Sequence, residues 1–371
     1  MHEMRQNIIT KQWVLFATGR GKRPNDFQKS EGGETAIPHY DAKCPFCPGN
    51  ERLLPPIIHE RPVMHFTGGM QSPADRTVTA QNTAGGSVVS RNRTGKLDAG
   101  SSGIHMMPWQ ARVVPNKFPI VIPDADREVQ NIGFYAVSGG YGCHEVVIES
   151  PFHDRDLPGM SESEVEAVVR TYLYRYDELT KKDADLEVYI FRNHGARSGT
   201  SLIHPHSQII AIPALSDRRR QLVNEAGQYF EERGGCVFCE VMRFEKEQKV
   251  RVLYENGLFL CIVPFAAQVP FEVWVLPKTH KSSFNDIEET EMHDFSDALR
   301  YVLGRLYHRL GDPDYNYIIQ SFSADGPDKR ALHWHLQILP KLTIPAGFEI
   351  ASGISVNPFL PEENCAFLKG E

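Results

Sequence analysis

One order of residues occurs twice in this 371-residue chain, and it constrains the fold more than any local pattern does. Cys44-Pro-Phe-Cys47 precedes His153 and then His204-Pro-His206-Ser-Gln208. Cys236-Val-Phe-Cys239 precedes His280 and then His333-Trp-His335-Leu-Gln337. The single histidine and the first histidine of the pair lie 51 positions apart in the first copy and 53 in the second. A shared order at such similar spacing marks an internal duplication.

Each copy also predicts the same elements. An apolar, strand-like run (146–151 or 273–279) leads to the single histidine, and a helix follows. The first helix opens on a capping box, Ser161 with Glu164, and carries Val165, Val168, Val169, Tyr172, Leu173 and Tyr176 on one face. The second is expected to open on Asn285 and Glu288 in the same relation. It presents Phe295, Leu299, Val302, Leu303, Leu306 and Leu310, and stops at Gly311. A β-rich run (186–191 or 315–322) precedes the strand that bears each histidine pair. The expected class is α+β: two tandem repeats, each an antiparallel sheet with a flanking helix and a central His-x-His strand. Residues 1–215 would form the first half and 216–371 the second. The halves differ mainly between the thiol pair and the single histidine, where about 67–103, rich in Gly, Ser, Thr and Asn, reads as a surface insertion.

Composition narrows the class. There are 40 basic against 47 acidic side chains, a net charge of −7, and no long basic run, so nucleic acid is not an expected partner. No apolar run reaches the ~18 residues that span a bilayer, and the first six residues lack the pattern of a secretory signal. A soluble, cytoplasmic enzyme is expected. In a reducing compartment two thiol pairs among seven cysteines read as metal or redox sites, and neither pair has the βαβ setting of a redox motif.

Two thiolates and two imidazoles match the tetrahedral preference of zinc, and a site with no open position is structural. Cys44, Cys47, His153 and His204 would make one such site, and Cys236, Cys239, His280 and His333 the other; Glu240 or His335 could replace a ligand in the second. Alternate strand residues share a face, which sets His206 and Gln208 beside the anchored His204. A neutral imidazole is a usable nucleophile near pH 7 once its second nitrogen is held as a donor. Gln208 could then hydrogen-bond a phosphoryl oxygen. Upstream, the stretch from Asn193 through Gly195, Gly199, Thr200 and Ser201 supplies the amides and hydroxyls of a phosphate cradle. Arg20, Lys22 and Arg23 add cations for a diphosphate.

Together these residues resemble the galactose-1-phosphate uridylyltransferase family, a duplicated branch of the histidine-triad superfamily. The matching landmarks are Arg20-x-Lys22-Arg23-Pro24, Cys44-x-x-Cys47-x-Gly49-Asn50, Asn116-x-Phe118, Asn193-x-Gly195, Gly199-x-Ser201 and His204-Pro-His206-x-Gln208. The second half adds Val263-Pro264-Phe265, Pro270-Phe271-Glu272, His280 and His333-x-His335. The resemblance implies two histidine-triad-like halves and ping-pong transfer through a uridylyl-His206. It places the phosphates on Gln208, Gly199 and Ser201, and the nucleotide on Asn116, Phe118 and Asn193. It further implies zinc in both sites, with iron as the alternative in the second. It also implies nucleotide sugar and sugar 1-phosphate substrates, and a homodimer in which one C-terminal region completes the other's sugar site. Two departures bear on the substrate. Ser207 stands where better-known members carry Gly and is shared with ADP-glucose phosphorylase relatives. Where familiar members carry a Lys-Phe and a downstream Glu to recognise hexose, this chain reads Ala346-Gly347-Phe348-Glu349-Ile350-Ala351-Ser352-Gly353, so the sugar-contacting acid is expected to be missing or displaced. An ADP-sugar phosphorylase is the alternative. A non-catalytic zinc-stabilised nucleotide-binding module is the reading from another class, and it leaves His206 and Gln208 unexplained.

Overall fold

The computed structural model of the chain describes residues 2–20, 37–63, 109–213, 216–322, 326 and 329–371. The first half runs β1 (His2–Gln6), β2 (Trp13–Ala17), β3 (His59–Pro62), β4 (Trp109–Pro115), β5 (Gln130–Ile132), β6 (Tyr135–Val137), β7 (Cys143–Ile148), α1 (Glu162–Lys182), β8 (Glu187–His194) and β9 (His206–Ile212). Two helices, α2 (Asp217–Arg233) and α3 (Val237–Gln248), lead into β10 (Val252–Glu255), β11 (Phe259–Ile262), β12 (Val273–Pro277), α4 (Glu289–Leu310), β13 (Tyr315–Gln320) and β14 (His335–Pro340). The chain closes with α5 (Gly347–Ser352), β15 (Ser355–Asn357) and α6 (Pro361–Lys369). The fold is α+β. The expected insertion at 67–103 lies outside the described residues. Among those described, no helix is long and apolar enough to cross a membrane.

The duplication appears as symmetry within one sheet rather than as two sheets. Ten antiparallel strands run in the order β10-β11-β12-β14-β13-β8-β9-β7-β4-β3, so five strands on one side of the β13–β8 seam repeat, in reverse, the five on the other. Register makes the correspondence residue-specific. Gln208 pairs with Phe191 on one side and Val146 on the other. Its counterpart Gln337 pairs with Ile318 and Trp274. Phe191 and Ile318 pair with each other across the seam, as a twofold relation requires.

Helices α1 and α4 cover one face of this sheet. Val165, Val168, Tyr172 and Leu179 from α1 meet Phe295, Leu299, Val302 and Leu306 from α4 in a single core with Ile209, Ala211, Leu336 and Ile338 of the histidine strands. Alternation then sends His206, Gln208, His335 and Gln337 to the opposite face. There, each thiol pair nucleates its own smaller cluster, Phe46 with Val146 and Ile148 in the first half, Phe238 with Trp274 and Leu276 in the second. The capping box on α1 forms as expected, with Ser161 N–H donating to Glu164 at 2.8 Å. The expected start of α4 does not. Ser283 and Asp286 cap a short 3₁₀ turn that absorbs Asn285, and α4 begins one turn later on Glu288 with Glu291. Gly311 ends α4 in the left-handed region, at φ 70°.

Candidate active site and metal centres

The four expected ligands of each set do converge. Cys44, Cys47, His153 and His204 bring their ligand atoms within 4.8 Å of one another, as do Cys236, Cys239, His280 and His333. Bonds of about 2.3 Å to sulfur and 2.05 Å to nitrogen at a tetrahedral angle would put sulfur and nitrogen about 3.6 Å apart. His204 Nδ1 lies 3.7 Å from both Cys44 and Cys47 Sγ, and His153 Nδ1 lies 3.5 Å from Cys47 Sγ. In the second set Cys239 Sγ is 3.4 Å from His280 Nδ1 and 3.6 Å from His333 Nδ1.

Ring orientation points the same way. The Nε2 atoms of His204, His333 and His280 face the carbonyls of Ser150, Pro277 and Lys329 at 2.8, 2.9 and 3.1 Å. A carbonyl only accepts, so each Nε2 carries the hydrogen and each Nδ1 turns a lone pair toward the thiols. Burial pushes His204 down to about 4, which keeps it neutral, as a ligand must be. The Cys236 thiol is held low by Cys239, against burial, and by the two imidazoles. These two clusters could each bind a metal. The proposed substitutes are engaged elsewhere: Glu240 pairs with Arg243, and His335 Nδ1 faces His333 O at 3.2 Å.

His206 begins β9, and its Nδ1 lies 2.8 Å from the carbonyl of His204, which fixes Nδ1–H and leaves the lone pair on Nε2. Burial lowers its pKa, outweighing that hydrogen bond, and the ring of Phe46 packs edge-on at 5.4 Å. A neutral, oriented imidazole of this kind is suited to nucleophilic attack. Gln208, two residues on, meets His144 of β7 at 2.8 Å; His144 also lies 3.0 Å from Asn116 Nδ2. Asn116 in turn accepts the N–H of Phe118, whose ring is 80% exposed. His206 and Gln208 thus share one face of the sheet, and His144 links Gln208 to Asn116 and Phe118.

The stretch after β8 folds back toward them as a 3₁₀ turn, Ala196–Ser198. Gly195 must be glycine: φ is 81°, and a Cβ would sit 2.3 Å from the Asp314 carboxylate. Asp314 accepts Arg197 N–H at 2.6 Å, and Asn316 donates to Asn193 Oδ1 at 2.7 Å and to Ser198 O at 3.0 Å. Gly199 is left-handed, the Thr200 hydroxyl turns back to Leu202 O, and Ser201 is exposed. Arg20 ends a short turn, Thr18–Arg20; Lys22 and Arg23 lie outside the described residues. Phe348, 54% exposed on α5, has no hydrogen bond or ring contact to the His206 site among the described residues.

Behind β9, on the helix side, Ser207 is buried with the Tyr172 hydroxyl at 2.7 Å. Tyr172 also meets Glu149 and Tyr317, and Glu149 receives the buried Arg192 guanidinium at 2.9 Å. A cavity of about 440 Å³, walled by Ile8, Tyr229, Val241, Phe244, Phe265 and Trp274, lies on the second-half side; none of its lining residues is a cysteine or histidine.

The sequence comparisons cover both halves. Residues 1–56 and 105–215 match the galactose-1-phosphate uridyl transferase N-terminal domain, and residues 222–346 its C-terminal domain. The chain is 29% identical to an ADP-glucose phosphorylase of Arabidopsis thaliana, over 97% of this chain and 90% of that one. It is 27% identical to a galactose-1-phosphate uridylyltransferase of Thermotoga maritima, over 98% and 96%. The crystal structure of an Arabidopsis thaliana ADP-glucose phosphorylase with bound ADP-glucose superposes with a TM-score of 0.75 at 26% identity, covering 100% of this chain and 99% of that one. With two matching halves in the expected order, the chain belongs to the galactose-1-phosphate uridyl transferase family of nucleotidyltransferases.

Proposed function

We propose that the chain moves a nucleoside monophosphate from a nucleotide sugar to a second phosphate through a nucleotidyl-His206 intermediate. The observation that carries this is the His206 ring itself, with Nδ1–H held on the His204 carbonyl and the Nε2 lone pair free. Nε2 attacks the α-phosphorus, the bond to the bridging oxygen breaks, and the sugar 1-phosphate leaves with that oxygen. An acceptor phosphate oxygen then attacks the same phosphorus and frees His206. The phosphoramidate conserves transfer potential that water would dissipate.

The reading adopted is a UDP-glucose:galactose-1-phosphate uridylyltransferase, supported by several uridylyltransferase relatives. Ser207 and the Arabidopsis relative favour a second reading, ADP-sugar phosphorolysis with inorganic phosphate as acceptor. Phosphate contacts would come from Gln208, Gly199, Thr200, Ser201, Arg20 and Arg23, and the nucleotide would rest on Asn116, Phe118 and Asn193. Phe348 would face the sugar from the partner subunit of a homodimer. Zinc is the metal proposed for both Cys₂His₂ sites; in the first it would clamp His204 and so the backbone entering β9, and the thiolate sets suit a reducing, cytoplasmic setting. Residues 1–215 form the catalytic half and 216–371 the supporting half.

Incubation with UDP-glucose and ADP-glucose in turn, followed by intact-mass measurement, tests the proposal. A uridylyl adduct supports the first reading and an adenylyl adduct the second. His206→Gly is expected to abolish either adduct while both metals remain bound. An adduct that survives in His206→Gly, or none from either donor, would overturn the assignment.

A further inference from the structure

The carboxamide of Gln208 can help a phosphoryl transfer in one orientation only, with its amino group toward the phosphate oxygens, and His144 decides that orientation. His144 is buried on β7, on the same sheet face as His206 and Gln208. The Ile120 N–H donates to its Nδ1 at 3.2 Å. A backbone N–H cannot accept, so Nδ1 is the bare nitrogen and Nε2 holds the hydrogen. Nε2–H then donates to Gln208 Oε1 at 2.8 Å. With its oxygen occupied, Gln208 has only the amino group left to offer a ligand. Asn116 points a second donor at the same nitrogen, 3.0 Å away, because its Oδ1 is taken by the Phe118 N–H. It finds no lone pair on His144, and its hydrogens stay available to an acceptor on the ligand.

The twofold-related position supplies an internal contrast. There Glu272 precedes Trp274 by two residues, as His144 precedes Val146. Glu272 accepts from Gln337 Nε2 at 2.8 Å, so the Gln337 carboxamide is turned the opposite way, its oxygen toward Gln320 Nε2 at 3.5 Å.

We propose that His144 is a positioning residue that locks the Gln208 carboxamide with its amino group toward the phosphoryl group under attack. This rests on the roles given above to His206 and Gln208. Burial lowers the pKa of His144, so the neutral ring that this arrangement needs is the form present near pH 7.

The test compares His144→Leu, which removes the donor, with His144→Gln, whose amide nitrogen can occupy the place of Nε2–H. The rate of His206 nucleotidylation in His144→Leu should fall by about tenfold or more, the loss expected for one well-placed hydrogen bond, with little change in KM. His144→Gln should recover most of that rate. In a Gln208→Ala background the His144→Leu change should cost almost nothing further, which a merely structural role would not produce. An unchanged rate in His144→Leu, or an equal loss in both backgrounds, overturns the proposal. If the unmodified protein forms no adduct, the functional reading fails, and nitrogen-15 NMR of the His144 ring still decides the relay. Protonated Nε2 with bare Nδ1 supports it, and the reverse tautomer refutes it.

Discussion

Tyr172→Phe removes one oxygen from the most buried polar cluster in the molecule's described part, and the cost can be worked from its neighbours. The hydroxyl lies 2.7 Å from Ser207 Oγ, 3.0 Å from Glu149 Oε1 and 2.5 Å from the Tyr317 hydroxyl, and none of the four residues is exposed. Burial and the nearby Glu149 raise the Tyr172 pKa well above the ordinary tyrosine value, so the phenol keeps its proton. Without it, Tyr317 still reaches Glu149 at 3.4 Å, and Glu149 still holds Arg192. The Ser207 hydroxyl is the group that loses its Tyr172 partner. One hydrogen-bonding site is therefore orphaned rather than three, at about 1–3 kcal/mol, in addition to roughly 1 kcal/mol for the lost neutral bond. The expected loss is about 2–4 kcal/mol in urea unfolding followed by tryptophan fluorescence, with Trp334 in the affected helix-side core as reporter. Ser207→Gly should be milder alone, and the double variant should fall short of the sum by about 1 kcal/mol, since both changes empty one contact. A Tyr172→Phe protein within about 0.5 kcal/mol of the unmodified chain would refute the reasoning, because that is the spread of ordinary surface changes.

Other consequences follow from the metal clusters and from His194. Demetallation by a strong chelator should release two equivalents, one per cluster, and lower the thermal midpoint; elemental analysis below one metal per untreated chain would defeat both sites. Cys44→Ser should lose adduct formation more severely than Cys236→Ser, since only the first cluster includes His204, two residues from His206. Burial alone would lower His194, yet hydrogen bonds to Asp156 and Asp312 outweigh it and the nearby Arg192, and hold it up at about 9, above the free value of 6.5. The stacked Tyr315 completes its surroundings. A raised pKa contributes stability that is complete below pH 6.5 and lost as pH climbs through 9, on the order of 3 kcal/mol. Unfolding free energies of the unmodified chain and His194→Gln across that range should therefore converge; parallel curves would count against it.

What the sequence made legible follows from how each contact is made. The eight residues of the two Cys₂His₂ clusters could be found because their order repeats. His206 and Gln208 could be placed because two-residue alternation sets their face without reference to any other strand. His144 escaped notice because the strand reading began at Val146, and its meaning depends on lying across from β9. Asp314 and Asn316 were invisible for the same reason on a larger scale, since they reach the Gly195 loop only through the β13–β8 pairing. That pairing also explains why two expected sheets are one. The α4 start was misplaced by a near-repeat of cap residues, the nearer set closing a 3₁₀ turn instead. Ser207, which suggested nucleotide preference, turns out to face Tyr172 and the helix layer, so it touches no base directly.

The seam gives a physical reason for keeping a second half whose own histidine has lost its setting. His335 is buried between Phe238 and Trp274, with ring centroids 5.1 and 5.2 Å away, and Trp274 stands where the first half has the smaller Val146. With Gln337 reversed by Glu272 as well, neither group of the pair faces a phosphate usefully. Yet Asp314, just before β13, carries the carboxylate that fills the space beside Gly195, and β13 itself carries the amide that braces Asn193 and the Tyr315 hydroxyl that meets Arg192. Removing the second half would leave the Gly195 loop without these braces and expose the β8 edge with its unpaired backbone groups. The second half's sheet thus braces the first half's loop without calling on its own histidine. A duplicated fold can in this way hold two Cys₂His₂ clusters while only one of its histidine strands presents an arrangement suited to chemistry.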